Sequence, residues 1–211
     1  VRHVLEGTVD EEGVARLEAK ITIRNPRDRE AEYELLFPAS ERASLDSFAL
    51  ETAGGDPVSA TVLSAKEARS RYERIVRDRR DPALLEFYGR GLVRARIFPV
   101  PAEGETTVRL SYREVLTSGQ GGLLELRYPL RADAIHLELA GRPATIYSPS
   151  HRFQTEAQAD AVRLDWERAA RDVGRRLALF FSPPGDRPGW GRDAGEAGSG
   201  AFQALRRAMA S

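Results

Sequence analysis

The sequence predicts a mainly β protein, an antiparallel β-sandwich carrying one principal α-helix at about residues 64–79. Three observations support this. Apolar residues alternate with polar ones in many short runs, from Leu17-Ala19-Ile21-Ile23 to Leu177-Leu179-Phe181. A period of two places every second side chain on one face of a pleated strand. Clusters rich in Gly, Pro, Asn and Asp punctuate the runs, as turns require. One stretch, SAKEARSRYERIVRDRR from Ser64, has the three- and four-residue spacing of an amphipathic helix instead.

The first forty residues read as β-structure. Leu17, Ala19, Ile21 and Ile23 form one alternating run, and Ala31, Tyr33, Leu35 and Phe37 form the next. Asn25-Pro26 and the charged RDRE between them predict a turn, so the two runs predict an antiparallel pair with one buried face. Pro38 closes the second run, because proline cannot continue a central ladder. Leu45–Leu50 and Pro57–Leu63 follow, separated by a Gly54-Gly55-Asp56 turn.

Ser64 and Glu67 have capping-box spacing, and Ala65, Ala68, Tyr72, Ile75 and Val76 share one stripe of the helix. Asp81-Pro82 ends it. Val93, Ala95 and Ile97 then alternate with Arg94 and Arg96, giving a strand with a charged face. Val108, Leu110 and Tyr112 form a further run, and Leu124, Leu126 and Tyr128 another. The Gly119–Gly122 loop between them reads as a hairpin connection.

From Ile135 onward come Ile135-Leu137-Leu139, the short Ala144–Tyr147, Val162-Leu164-Trp166 and Leu177-Leu179-Phe181. Glu167–Arg176 reads as a charged hairpin loop. After Ser182 the chain turns to Gly and Pro. This divides it into a domain over 1–130, added strands over 131–182 that extend or flank it, and a linker or flexible tail over 183–211.

Composition excludes several functions. Of 211 residues, 41% are hydrophobic and 30% charged, with 32 basic against 32 acidic side chains. A binder that neutralises a nucleic-acid backbone carries a basic excess, so no nucleic-acid partner is expected. The absence of cysteine rules out disulfides, thiolate catalysis and Cys-ligated metal. No apolar run approaches the roughly 18 residues that span a membrane. A start at Val1 fits an excised fragment or a chain whose signal peptide has been removed, with an extracytoplasmic location favoured.

The ordered set RNP, AEYELLFP, SFAL, SAKEARSRYE, DPALLEF, IFPVPAEGETTVRLSYREVL and LRYPL resembles the vault protein inter-alpha-trypsin (VIT) domain family. The matching residues are Phe37-Pro38, Ala68 with Tyr72, Ala83 to Glu86, Pro99 through Tyr112, and Tyr128-Pro129-Leu130. The turn PAEGE and the lead-in GRGLVRARIFP depart from the commoner family pattern. TIYSPSH and LALFFS resemble the β-segment that links a VIT domain to a von Willebrand A domain in bacterial proteins. The resemblance implies a non-catalytic interaction or scaffolding module. It also implies a protein partner or an adjacent von Willebrand A domain, with no cofactor. The Asp-x-Ser-x-Ser metal motif of A domains is absent from the chain.

Five groups of residues invite a chemical reading. Ser148, Ser150 and His151 in SPSH suggest a serine nucleophile, but no G-x-S-x-G elbow is present, and a turn after a strand is the expectation. His3, His136 and His151 lack zinc-ligand spacing, so exposed or hydrogen-bonded histidines are expected. Asp10-Glu11-Glu12 before Gly13 reads as a solvated hairpin turn, not a calcium loop. The glycine pairs Gly54-Gly55 and Gly121-Gly122 lack phosphate-loop context. Arg74, Arg77, Arg79 and Arg80 form a possible patch for an anionic partner such as a glycan, against a solvated helix face neutralised by neighbouring acids. Catalytic and metal sites are therefore expected to be absent.

Overall fold

The computed structural model describes residues 1–38, 42–52, 58–60, 63–64, 83–87, 92–169 and 174–183, and these are mainly β-strand. In chain order the strands are β1 (Arg2–Val9), β2 (Val14–Arg24), β3 (Ala31–Pro38), β4 (Ala43–Thr52) and β5 (Val58–Ala60). β6 (Leu63–Ser64), β7 (Ala83–Phe87), β8 (Leu92–Val100), β9 (Glu105–Val115) and β10 (Leu124–Arg131) follow. The last five are β11 (Ala134–Ala140), β12 (Ile146–Tyr147), β13 (Gln154–Ala157), β14 (Ala161–Glu167) and β15 (Arg176–Phe181).

These strands make an eight-stranded sheet in the order β13-β14-β11-β1-β2-β9-β4-β5, a four-stranded sheet β3-β8-β7-β6 and a three-stranded sheet β10-β15-β12. Pairing is antiparallel except between β1 and β11 and between β6 and β7. A parallel pair needs a long crossover, and the one joining β1 to β11 is most of the chain.

Alternation decides which face of each strand is buried. β2 buries Ala15, Leu17, Ala19, Ile21 and Ile23 and turns the residues between them outward, and β9 does the same with Thr106, Val108, Leu110 and Tyr112. Leu126 and Tyr128 of β10, Leu177, Leu179 and Phe181 of β15, and Phe37, Val93, Ala95 and Ile97 of the four-stranded sheet join the same core. The three sheets meet at Phe37, whose ring centroid lies 5.6 Å from Tyr112 and 6.1 Å from Tyr128. Full burial of each large apolar side chain contributes about 1.5–3 kcal/mol, so this shared core holds the layers together.

Most strand positions follow the sequence reading, β7 and β13 being the strands it does not contain; several partnerships do not. β2 and β3, expected to pair, lie in different sheets: β2 sits between β1 and β9, and β3 pairs with β8. Both present an alternating face to one core from different sheets, so their patterns match without their backbones touching. The Gly119–Gly122 loop is not a hairpin either. After a single bridge between Ser118 and Leu124 and a short 3₁₀ turn, the chain leaves the large sheet for the three-stranded one. The segment between β14 and β15 also crosses between sheets. The expected strand over Pro57–Leu63 contains β5 and the start of β6.

Among the described residues there is no α-helix. The principal helix expected over about 64–79 lies outside them, apart from Ser64, which closes β6. No helix among the described residues is long and apolar enough to cross a membrane.

Candidate functional site

The Ser-Pro-Ser-His segment follows β12, which pairs with β15 through Ile146–Phe181 and Tyr147–Phe180. Pro149 has no N–H to continue that ladder. The serine side chains continue it instead. The Ser148 hydroxyl donates to the Ala178 carbonyl (2.7 Å), and the Ala178 N–H donates to Ser150 Oγ (2.9 Å). Ser148 Oγ also accepts the His151 N–H (3.1 Å), while His151 Nδ1 lies 2.7 Å from Ser150 Oγ. The imidazole is buried, with its ring edge-on to Trp166 at 4.4 Å and tilted against Phe153.

Each hydroxyl has one proton and two lone pairs. Here both hydroxyls serve the backbone of β15 and the turn. A serine nucleophile needs an oriented base and a free approach to its oxygen. Ser150 has a histidine beside it, but its oxygen already accepts a main-chain N–H, and the histidine is packed into an aromatic wall. The arrangement works as a side-chain extension of the β12–β15 pairing.

The other two histidines are far from this cluster. His136, on the outer face of β11, bonds Asp165 of β14 through Nδ1 (2.7 Å), and Asp165 also accepts Arg163 Nε (2.8 Å). The His136 hydrogen bond, with Arg163 beside it, holds the Asp165 carboxyl below the usual carboxylate range despite slight desolvation. Among the described residues no three His, Cys, Asp or Glu side chains converge as a metal site.

His3 takes an inward position on β1 and is 6% exposed, its Nε2 lying 2.6 Å from the Tyr128 hydroxyl. Nothing in the spacing of the three histidines signals this contact, because Tyr128 is 125 residues away.

Asp10 closes the β1–β2 hairpin. It accepts the Val14 N–H (2.8 Å) and Arg16 Nη1 (2.6 Å), and Gly13 adopts φ 78°. Slight desolvation pushes the Asp10 carboxyl up, but these donors outweigh it and hold the group below its ordinary value. This is turn chemistry.

The patch Arg74, Arg77, Arg79 and Arg80 lies outside the described residues. The nearby Arg94 and Arg96 are described. Both sit half-buried on β8, and Arg94 pairs with Glu34 of β3. The outer face of the large sheet is likewise self-neutralised. Arg109 of β9 bridges Glu51 of β4 (2.6 Å) and Glu18 of β2 (2.8 Å), Arg113 meets Asp46 (2.8 Å), and Thr22 bonds Thr107 (3.0 Å). The bonds from Glu51 and then Glu18 raise the Arg109 pKa.

One residue passed over as a turn former proves central. Asn25, the only asparagine in the chain, is fully buried. Its Nδ2 donates to the carbonyls of Arg29 (2.8 Å), Val100 (3.1 Å) and Pro101 (3.0 Å), and its Oδ1 accepts the Arg27 N–H (3.1 Å). Its own N–H donates to the Gly104 carbonyl (2.9 Å), and the Glu103 N–H donates to the Arg27 carbonyl (2.8 Å). The RNP turn is thereby tied to the PAEGE turn.

Those two turns and the strands around them fall within residues 6–112, which match the family model of the vault protein inter-alpha-trypsin domain. The chain belongs to the VIT family. The match ends at Tyr112, short of the Tyr128-Pro129-Leu130 segment. No curated protein matches the VIT chain in sequence.

Solved structures show weak likeness. One is a Legionella pneumophila protein described as nutrient-binding, at TM-score 0.47 and 11% identity, covering 84% of this chain and 66% of the other. Another is an M1 zinc metallopeptidase from Deinococcus radiodurans, also at TM-score 0.47 and 11% identity, covering 86% of this chain and 41% of the other. The VIT chain thus spans under two thirds of the length of each. Likeness of this degree carries no functional conclusion.

Proposed function

We propose that the chain is a non-catalytic protein-interaction or scaffolding module. In this reading a β-sandwich holds or presents neighbouring segments of a larger protein, a von Willebrand A domain among them. Membership of the VIT family over residues 6–112 carries the reading. The fold adds support, since the cluster most like a catalytic one has its hydroxyls committed to the β15 backbone. Ion pairs across the large sheet leave its outer face mixed in charge, which suits a solvated scaffold better than a charged substrate channel.

The test is made on the full encoded protein. Hydrogen exchange is compared between the intact protein and one lacking residues 1–183. If the module scaffolds, removing it deprotects a continuous surface on the remaining domain. Exchange in the remainder that is unchanged by the deletion would refute the reading. A fluorophosphonate probe gives a separate check: the folded module is expected to remain unlabelled, and stoichiometric labelling at Ser150 would restore the hydrolase alternative.

A further inference from the structure

We propose that His3 is an acid-sensitive latch holding the start of β1 against β10 and the β10–β11 turn, so that protonating its imidazole loosens the parallel β1–β11 seam. The latch is a closed set of hydrogen bonds. The Tyr128 hydroxyl on β10 faces His3 Nε2 at 2.6 Å, and the Arg131 backbone acts on the ring as a hydrogen-bond acceptor. Carbonyls only accept, so we assign the proton of the neutral ring to Nδ1, toward Arg131, which leaves Nε2 to accept from Tyr128. The two rings also meet edge to face at 5.4 Å.

The main chain of the same residue is clasped by the turn. The His3 N–H donates to Asp133 Oδ2 (2.8 Å), and the Asp133 N–H donates to the His3 carbonyl (2.6 Å). Asp133 Oδ1 accepts Nε (2.7 Å) and Nη2 (2.6 Å) of Arg168, just after β14. One residue of β1 thus joins the ends of β10, β11 and β14, strands that the VIT match does not cover.

A second proton on the ring would sit on Nε2, facing a hydroxyl that now donates to it. Tyr128 would have to turn its proton away inside the aromatic cluster with Phe37 and Tyr112, where burial keeps both tyrosines protonated. The facing charged groups are Asp133 and, through it, Arg168. Asp133 favours the imidazolium, but its carboxylate already pairs with the Arg168 guanidinium. Desolvation outweighs the Arg131 carbonyl and Asp133 and lowers the His3 pKa from 6.5. The neutral ring is therefore favoured by the fold. Its stabilising share is present above about pH 6.5, the unfolded value, and is lost as pH falls from there through the folded value.

The experiment is hydrogen exchange of the intact chain at about pH 7.5 and about pH 5, corrected for intrinsic exchange and compared with His3→Gln, which keeps a neutral donor and acceptor. Protection of β1 and β11 amides is expected to fall roughly tenfold or more in the parent and to stay level in the variant. A loss centred on β12 and β15 would point to His151 and overturn the proposal, as would equal pH profiles for parent and variant. If the variant does not fold, histidine ring ¹⁵N NMR of the parent decides. The Nδ1–H tautomer should persist below pH 6.5, with β11 amide shifts following its protonation. Titration of His3 that leaves β11 unmoved would also overturn it.

Discussion

Replacing Asn25 by alanine tests whether one buried amide holds two turns together. The side chain is fully buried and serves three carbonyls and one N–H. Two amide protons reach three carbonyls, so one bond is shared. The Arg27 and Arg29 groups lie near solvent and can recruit water after truncation, whereas the bond to the Val100 carbonyl is buried. A buried group stripped of its partner costs about 1–3 kcal/mol. With the carbonyl of Pro101 part-exposed and a small cavity added, Asn25→Ala should cost about 3–4 kcal/mol in all. For a domain of this size that corresponds to a fall in Tm of roughly 6–16 °C. Urea melts monitored by tryptophan fluorescence should show a lower midpoint at unchanged slope. Asn25→Asp keeps the shape but turns a carboxylate oxygen, an acceptor, toward carbonyls that also only accept. It should be at least as destabilising at neutral pH and recover partly on acidification, when the carboxyl regains a proton. A loss below about 1 kcal/mol for Asn25→Ala would refute the lock, since one buried unpaired carbonyl alone costs that much.

Gly7→Ala should destabilise by about 1–3 kcal/mol, because an added Cβ would lie 2.7 Å from the Arg16 carbonyl oxygen and press on Leu17; equilibrium denaturation that matches the parent would rule this out. A chain ending at residue 130 should lose its cooperative transition and near-ultraviolet circular dichroism, since it lacks β11 beside β1 and the β15 residues packed in the common core; a dispersed NMR spectrum from 1–130 would contradict it. Ser150→Ala should cost about 1–3 kcal/mol by stripping the Ala178 N–H of its acceptor, and calorimetry checks this. Arg109→Gln should change stability by less than about 1 kcal/mol, because its ion pairs with Glu18 and Glu51 are about one-third exposed; a larger loss in urea melts would show the bridge to be structural.

Burial faces were legible in the sequence because alternation reports them directly. Leu17 to Ile23, Val93 to Ile97, Val108 to Tyr112 and Leu177 to Phe181 all point their apolar members inward. Neighbours were not legible. Period two says which way a side chain faces and nothing about which backbone lies alongside, so β2 and β3 read as a hairpin although they belong to different sheets. β1 was blurred because its inward positions hold His3, Leu5, Gly7 and Val9, two of them not apolar side chains. The Ser-Pro-Ser-His cluster was visible, and its turn-like character follows from Pro149. Its true partner, Ala178, lies 28 residues beyond Ser150 and is met through its backbone, which no side chain announces. Asn25 was seen as a turn former; that its amide reaches carbonyls 75 and 76 residues away depends on tertiary contacts that local sequence cannot encode.

The parallel contact of β1 with β11 has a consequence for how the chain is made. Synthesis delivers β1 first, yet its second neighbour arrives some 130 residues later, the separation of His3 from Asp133. At about 5–20 residues per second that is a wait of roughly 6–26 s. Throughout it the β1–β2 hairpin presents an open row of backbone donors and acceptors above an apolar face, the kind of edge that recruits a stranger's strand. Yield on expression should therefore depend on what occupies that edge meanwhile, and slowing translation between β2 and β11 should lower the soluble fraction.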